Sequence, residues 1–176
     1  MRLHVEDVIG FPQALVYETQ RDEMANLVEY LPNIAKIDVL EREAIEGGVR
    51  LVNLWTAAET EVPALVRSFI KPEMLSWKDY ARWNDASFSC EWRLEMNFFR
   101  EQVKTTGRTT YTRIDDRSVR SVIEGVLEVD ARNVPGVPRL LAGKIGPEIE
   151  KFVVKMITPN LKGVNRGIEQ YLKARS

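Results

Sequence analysis

The sequence has little of what most enzymatic chemistry is built from. It contains one histidine, His4, and one cysteine, Cys90. A single cysteine excludes an intrachain disulfide, and the pair together cannot supply a histidine- or thiolate-based metal site. An excess of either charge is also missing: 25 basic residues stand against 26 acidic ones. That balance offers no electrostatic footprint for nucleic acid. No apolar run approaches the roughly 18 residues of a membrane-spanning helix. The first residues, MRLHVEDVIGFPQ, carry acids where a signal peptide has its apolar region. No glycine-rich phosphate loop is present, because GVPRLLAGKIG lacks the spacing and follows no parallel βα unit. These absences predict a soluble, reduced, cytoplasmic protein with no metal and no cofactor.

What is present suits one globular domain over residues 1–176: hydrophobic residues make up 44% and charged residues 29% of the chain, enough for a sizeable core. Residues 2–10 partly alternate and predict a first strand. Pro12 opens a short helix. Asp22 is the expected N-cap of a second, EMANLVEYL, which Pro32 stops. Two β-rich runs flank Glu46, Gly47 and Gly48, a hairpin signal. After the short helical or loop segment VPALVRSFIKPEM come four more strand-like runs, the last two separated by a turn at Asp115 and Asp116. In one run Cys90, Trp92, Leu94 and Met96 alternate with Ser89, Glu91, Arg93 and Glu95, as a half-buried strand does. Consecutive strands without crossover helices imply an antiparallel sheet with one large apolar face.

The last stretch, residues 144–176, supplies a cover for that face. Ile149, Val153, Ile157, Leu161, Val164, Ile168 and Leu172 fall three or four apart and make one continuous apolar stripe. A helix of about 28 residues spans roughly 40 Å, enough to cross a broad sheet. Pro159 sits in its middle and predicts a bend.

This order of elements resembles the START-like, or Bet v 1-like, helix-grip superfamily. YLPNIAKIDVLEREAIEGGVRLVNLW resembles its helix end, proline, strand and glycine hairpin. SWKDYARWNDASFSCEWRLE resembles its middle strand pair, and the terminal helix falls in its place. The resemblance covers nearly the whole chain and extends to the polyketide cyclases, the lipid-transfer START domains and uncharacterised bacterial relatives. A more local one, over IDVLEREAIEGGVRLVNLWTAAETEVPALVRSFI, is to the PRELI phospholipid-transfer proteins. The superfamily implies an α+β fold: a curved antiparallel sheet of about seven strands, two short helices after strand 1, and a long C-terminal helix gripped by the sheet. It also implies a cavity of a few hundred Å³ between the two.

A catalytic site is hard to assemble from these residues. Cys90 shares its parity with Phe88 and Trp92 and reads as a small core residue. His4 has the opposite parity to Leu3 and Val5 and reads as exposed. Asp79 shares parity with Trp77, Ala81 and Trp83, so it faces inward unless a bulge turns it out. A buried carboxylate needs a partner or a raised pKa, and it is a candidate general acid or base. Thr105, Thr109 and Tyr111 share one parity and are candidate polar handles. The aromatic residues are more suggestive. Trp55, Trp77, Trp83, Trp92 and Tyr111 from the sheet, with Phe152 and Met156 from the helix, are the expected ligand-binding residues. The expected function is binding or transport of a hydrophobic small molecule or lipid, without nucleic acid as partner. The alternatives are a cyclase- or dehydratase-like enzyme using Asp79 or Tyr111, and a protein-interaction module with no true cavity.

Overall fold

The computed structural model describes residues 1–58, 62–130 and 133–176. Its elements run β1 (Arg2–Ile9), α1 (Gln13–Asp22), a 3-10 helix (Met24–Tyr30), β2 (Ile34–Ile45), β3 (Gly48–Ala57), a 3-10 turn (Pro72–Met74), β4 (Ser76–Asn84), β5 (Ser89–Met96), β6 (Val103–Arg113), β7 (Val119–Val129) and α2 (Arg139–Lys173). The strands form one seven-stranded sheet in the order β1-β7-β6-β5-β4-β3-β2. Every neighbouring pair is antiparallel. The sheet is therefore a meander from β2 to β7, with β1 added beside β7. This is the helix-grip α+β architecture that the sequence pattern implies.

Local chemistry accounts for the elements. Gly47 takes φ 75 in the β2–β3 hairpin, a conformation that glycine adopts without a steric cost. The register between β2 and β3 shifts twice, at Ile34/Lys36 and Val39/Glu41, and such irregularities bend a strand and increase its twist. Gly107 and Gly125 face each other across β6 and β7. A Cβ on Gly107 would lie 2.2 Å from Cζ2 of Trp92, and one on Gly125 would lie 2.8 Å from its Cη2. The glycine pair thus leaves a hollow in the sheet that the Trp92 indole fills.

Helix α2 buries Ile149, Phe152, Val153, Ile157, Val164 and Ile168 against the concave face. It is also fixed by polar contacts. Ser121 Oγ donates to Asn165 Oδ1 at 2.9 Å, and Asn165 Nδ2 donates to Asp7 Oδ2 at 2.9 Å. Both Asn165 and Ser121 are buried, so the helix is tied to β7 and β1 in one place. Among the described residues, no helix is long and apolar enough to cross a membrane.

Two local expectations need correction. The helix in EMANLVEYL is a 3-10 helix, and Asp22 is not its N-cap. Asp22 ends α1 and accepts from Arg21 and from Arg42 Nη2 at 2.7 Å, so its carboxylate is committed to guanidinium groups rather than to backbone amides. Helix α2 begins at Arg139 and holds 35 residues, because Pro138 occupies the N-cap position and starts the helix before the apolar stripe does.

Candidate functional site between the sheet and the C-terminal helix

The side chains of β3, β4 and β5 that point toward α2 build the site. In register, Asn53 pairs with Asp79 and Trp55 with Trp77 across β3 and β4. Ala81 pairs with Trp92 and Trp83 with Cys90 across β4 and β5. Alternation brings these residues to one face. Ile157, Asn160, Leu161 and Val164 of α2 lie over them, and Gln20 and Met24 close the end nearest α1. Between these walls is a cavity of about 60 Å³.

All four tryptophans of the chain line this cavity. Trp55 and Trp77 are stacked, with ring centroids 5.9 Å apart and planes 17° apart. Trp92 Nε1 donates to Thr109 Oγ1 at 3.1 Å, which orients the ring over its glycine hollow. The indoles also explain the volume. It is well below the few hundred Å³ that the resemblance implies, because large rings occupy much of the space between sheet and helix.

The other expected ligand-binding residues lie elsewhere. Tyr111 is buried, but its hydroxyl donates to Gln20 Oε1 and its ring packs edge-on against Tyr17 at 5.7 Å. Phe152 packs against Phe98 with centroids 6.3 Å apart. Met156 lines a second space of about 160 Å³, together with Asn33, Ala57, Lys155 and Pro159. Helix α2 continues through Pro159, whose missing N–H deprives the Lys155 carbonyl of its usual helical donor. Asn160 lines both spaces. Its Nδ2 donates to Met156 O at 2.7 Å.

Asp79 does face inward. Its pKa is pushed up to about 6, chiefly by burial, while Asn53 and Trp55 nearby pull it down by less. Neither gives Oδ1 a hydrogen bond of normal geometry, and that atom has no partner. Asn53 Oδ1, Trp55 Nε1 and Trp83 Nε1 are likewise buried without a partner. The Cys90 thiol lines the same cavity, and burial pushes it well above its usual range, with the Asp79 charge adding to the effect. It is a neutral thiol in an apolar wall. His4 lies apart on β1 with an exposed ring, 3.6 Å from Glu124 and 3.9 Å from Glu6. Thr109 reaches the cavity, whereas Thr105 is buried outside it and its Oγ1 lacks a partner.

Sequence reasoning missed Asn53, Gln20 and Asn160. A signal for Asn53 existed, since it breaks the Leu51, Asn53, Trp55 alternation with a polar residue. None existed for Gln20 and Asn160, which reach the site only through the packing of α1 and α2. Among the described residues, no cluster of three or more histidine, cysteine or acidic side chains is placed to hold a metal ion.

No protein-family model matches the chain, and no curated protein sequence matches it. Solved structures do. TTHA0849 of Thermus thermophilus is 19% identical with a TM-score of 0.68, over 100% of this chain and 99% of that one. The Zhui aromatase/cyclase of a Streptomyces species is 16% identical with a TM-score of 0.65, over 100% and 98%. Norcoclaurine synthase of Thalictrum flavum, in complex with dopamine and hydroxybenzaldehyde, is 14% identical with a TM-score of 0.64, over 100% and 88%. At such identities the likeness is one of fold, and by topology, length and coverage this chain has the helix-grip, Bet v 1-like fold.

Proposed function

We propose that the protein binds a hydrophobic small molecule or lipid between the sheet and α2. The observation that carries this reading is the cavity walled by every tryptophan of the chain and containing buried polar atoms without partners. Apolar walls with a few orienting polar groups are the usual make-up of a small-molecule site. The 60 Å³ between the sheet and α2 takes one end of the ligand, and the 160 Å³ space beside Pro159 takes the remainder once the Asn160 side chain swings aside. Two structural neighbours support a ligand in this fold: one is named an aromatase/cyclase, and another was solved with dopamine and hydroxybenzaldehyde.

A second reading is an enzyme of the cyclase or dehydratase type, with Asp79 moving a proton. What favours it is a carboxyl group with a pKa of about 6 on the cavity wall, close to the range in which a general acid or base works best.

The binding reading is tested by intrinsic fluorescence, since all four emitters line the cavity. Titration with a panel of aromatic and alkyl ligands should give a saturable change. Ala81→Leu, which fills the space beside Trp92, should weaken binding with the thermal melt still cooperative. No saturable signal across the panel, together with a bare protein in native mass spectrometry, would remove the proposal.

A further inference from the structure

The polar part of the cavity wall is unbalanced. Asn53 Oδ1 and Asp79 Oδ1 are buried acceptors without donors, and the two residues stand side by side across β3 and β4. Asn53 is only 3% exposed. Folded proteins leave few buried polar atoms unpaired, and each needs an explanation. Among the described residues, no lysine, arginine or histidine lines the cavity, and none places a positive charge that acts on Asp79. Asp79 is half-buried as a residue, but its Oδ1 is shielded from solvent and unpartnered, and a carboxylate so placed without a counter-charge among the described residues is costly unless something supplies one. Next to it in register is the stacked pair Trp55 and Trp77, and indole faces attract cations.

We propose that the ligand of this cavity is a hydrophobic molecule bearing a protonated amine, whose ammonium group is received by Asp79 and the Asn53 carbonyl among the indole rings. This rests on the reading of the cavity as a site for a hydrophobic ligand, and it names the chemical class. An ammonium group has donors only, which matches two acceptors that have none. It also supplies the missing positive charge. The apolar body then leaves along Asn160 toward the space beside Pro159. The indole N–H of Trp83 remains as a donor, and it suits an oxygen on the same ligand or a water that accompanies it. Asp79, with a pKa of about 6, is mainly ionised at neutral pH, as this role requires.

Matched probes separate the charge from the apolar body: phenethylamine against phenethyl alcohol, and hexylamine to decylamine against the corresponding alcohols. Fluorescence titration at pH 7.5 should show the amines binding about tenfold tighter or more. Asp79→Asn should erase that preference, with circular dichroism confirming the fold. Alcohols binding as tightly as amines in the unmodified protein would overturn the ammonium inference and leave the hydrophobic-ligand reading intact. An amine preference that survives in Asp79→Asn would also overturn it. Failure of both series to bind would remove both readings. The comparison within the unmodified protein needs no variant, so a folding defect in Asp79→Asn does not rescue the proposal.

Discussion

Replacing Asp79 with asparagine should make the protein more stable at neutral pH. The carboxyl has a pKa of 3.8 when ordinarily solvated and about 6 in the folded protein. Below about pH 3 it is protonated in both states, so its titration contributes nothing to the pH dependence of stability. As pH rises from about 3 toward 6, the unfolded chain releases the proton and the folded chain retains it, and stability falls. Above about pH 7 both states are ionised and the loss is complete. A displacement from 3.8 to about 6 corresponds to about 3 kcal/mol. The asparagine side chain has nearly the same shape and no charge, so the Asp79→Asn variant escapes this loss. The assay is urea unfolding of both proteins at intervals from about pH 3 to about pH 8. The difference between them should open between about pH 3 and 6 and level off at about 3 kcal/mol, a midpoint shift of about 1.5 M at an m-value of about 2 kcal/mol/M. Every other titrating group cancels in that difference. A gap independent of pH, or a variant less stable than its parent at pH 8, would show that Asp79 is not buried without a counter-charge.

Gly107→Ala should lower the thermal midpoint by roughly 10 °C, about 3 kcal/mol, because its Cβ would meet both the Trp92 ring and the Glu124 carbonyl at 2.3 Å or less. Gly143→Ala, where an added Cβ meets nothing within 4 Å on an exposed helix face, is the control and should stabilise by up to about 1 kcal/mol. The Cys90 thiol, buried and held neutral, should resist an aromatic disulfide reagent at pH 8 in the folded protein and react at once in denaturing urea.

The sheet was legible because its strands carry two-residue alternation. Cys90, Trp92, Leu94 and Met96 are all buried, as their parity requires. The inward aim of Asp79 followed from the same rule. What alternation could not show is where a strand stops. Phe88 keeps the parity of β5, yet it sits in the preceding turn at φ 45 and packs edge-on against Tyr17. Periodicity also says nothing about which inward side chains meet. Tyr111 and Trp92 have indistinguishable patterns. Trp92 reaches the cavity and Tyr111 is bonded to Gln20 behind it, a difference set by how α1 lies on the sheet. Phe152 and Met156 share the helix stripe with Ile157, but the cavity lies one turn farther along. The start of α2 escaped notice because its first turn carries Leu140 and Leu141 outward, with no apolar stripe to read.

The position of β1 governs when this chain can complete its fold. Strands β2 to β6 each pair with their immediate successor, so each hairpin can close as soon as its second strand exists. β1 is different: Arg2 pairs with Val126 and Ile9 with Val119. On the ribosome, the first strand must wait through more than a hundred residues for its partner, with α1 and the 3-10 helix trailing behind it. Until β7 emerges, the growing sheet also offers an unpaired edge, and until α2 emerges its tryptophan-lined face stays wet. Pairings of such large sequence separation are slow to form, and exposed edges and apolar faces are where nascent chains associate wrongly. Transposing β1 to follow β7 through a short turn would convert the sheet into an uninterrupted meander, and such a permuted chain should refold faster than the natural order.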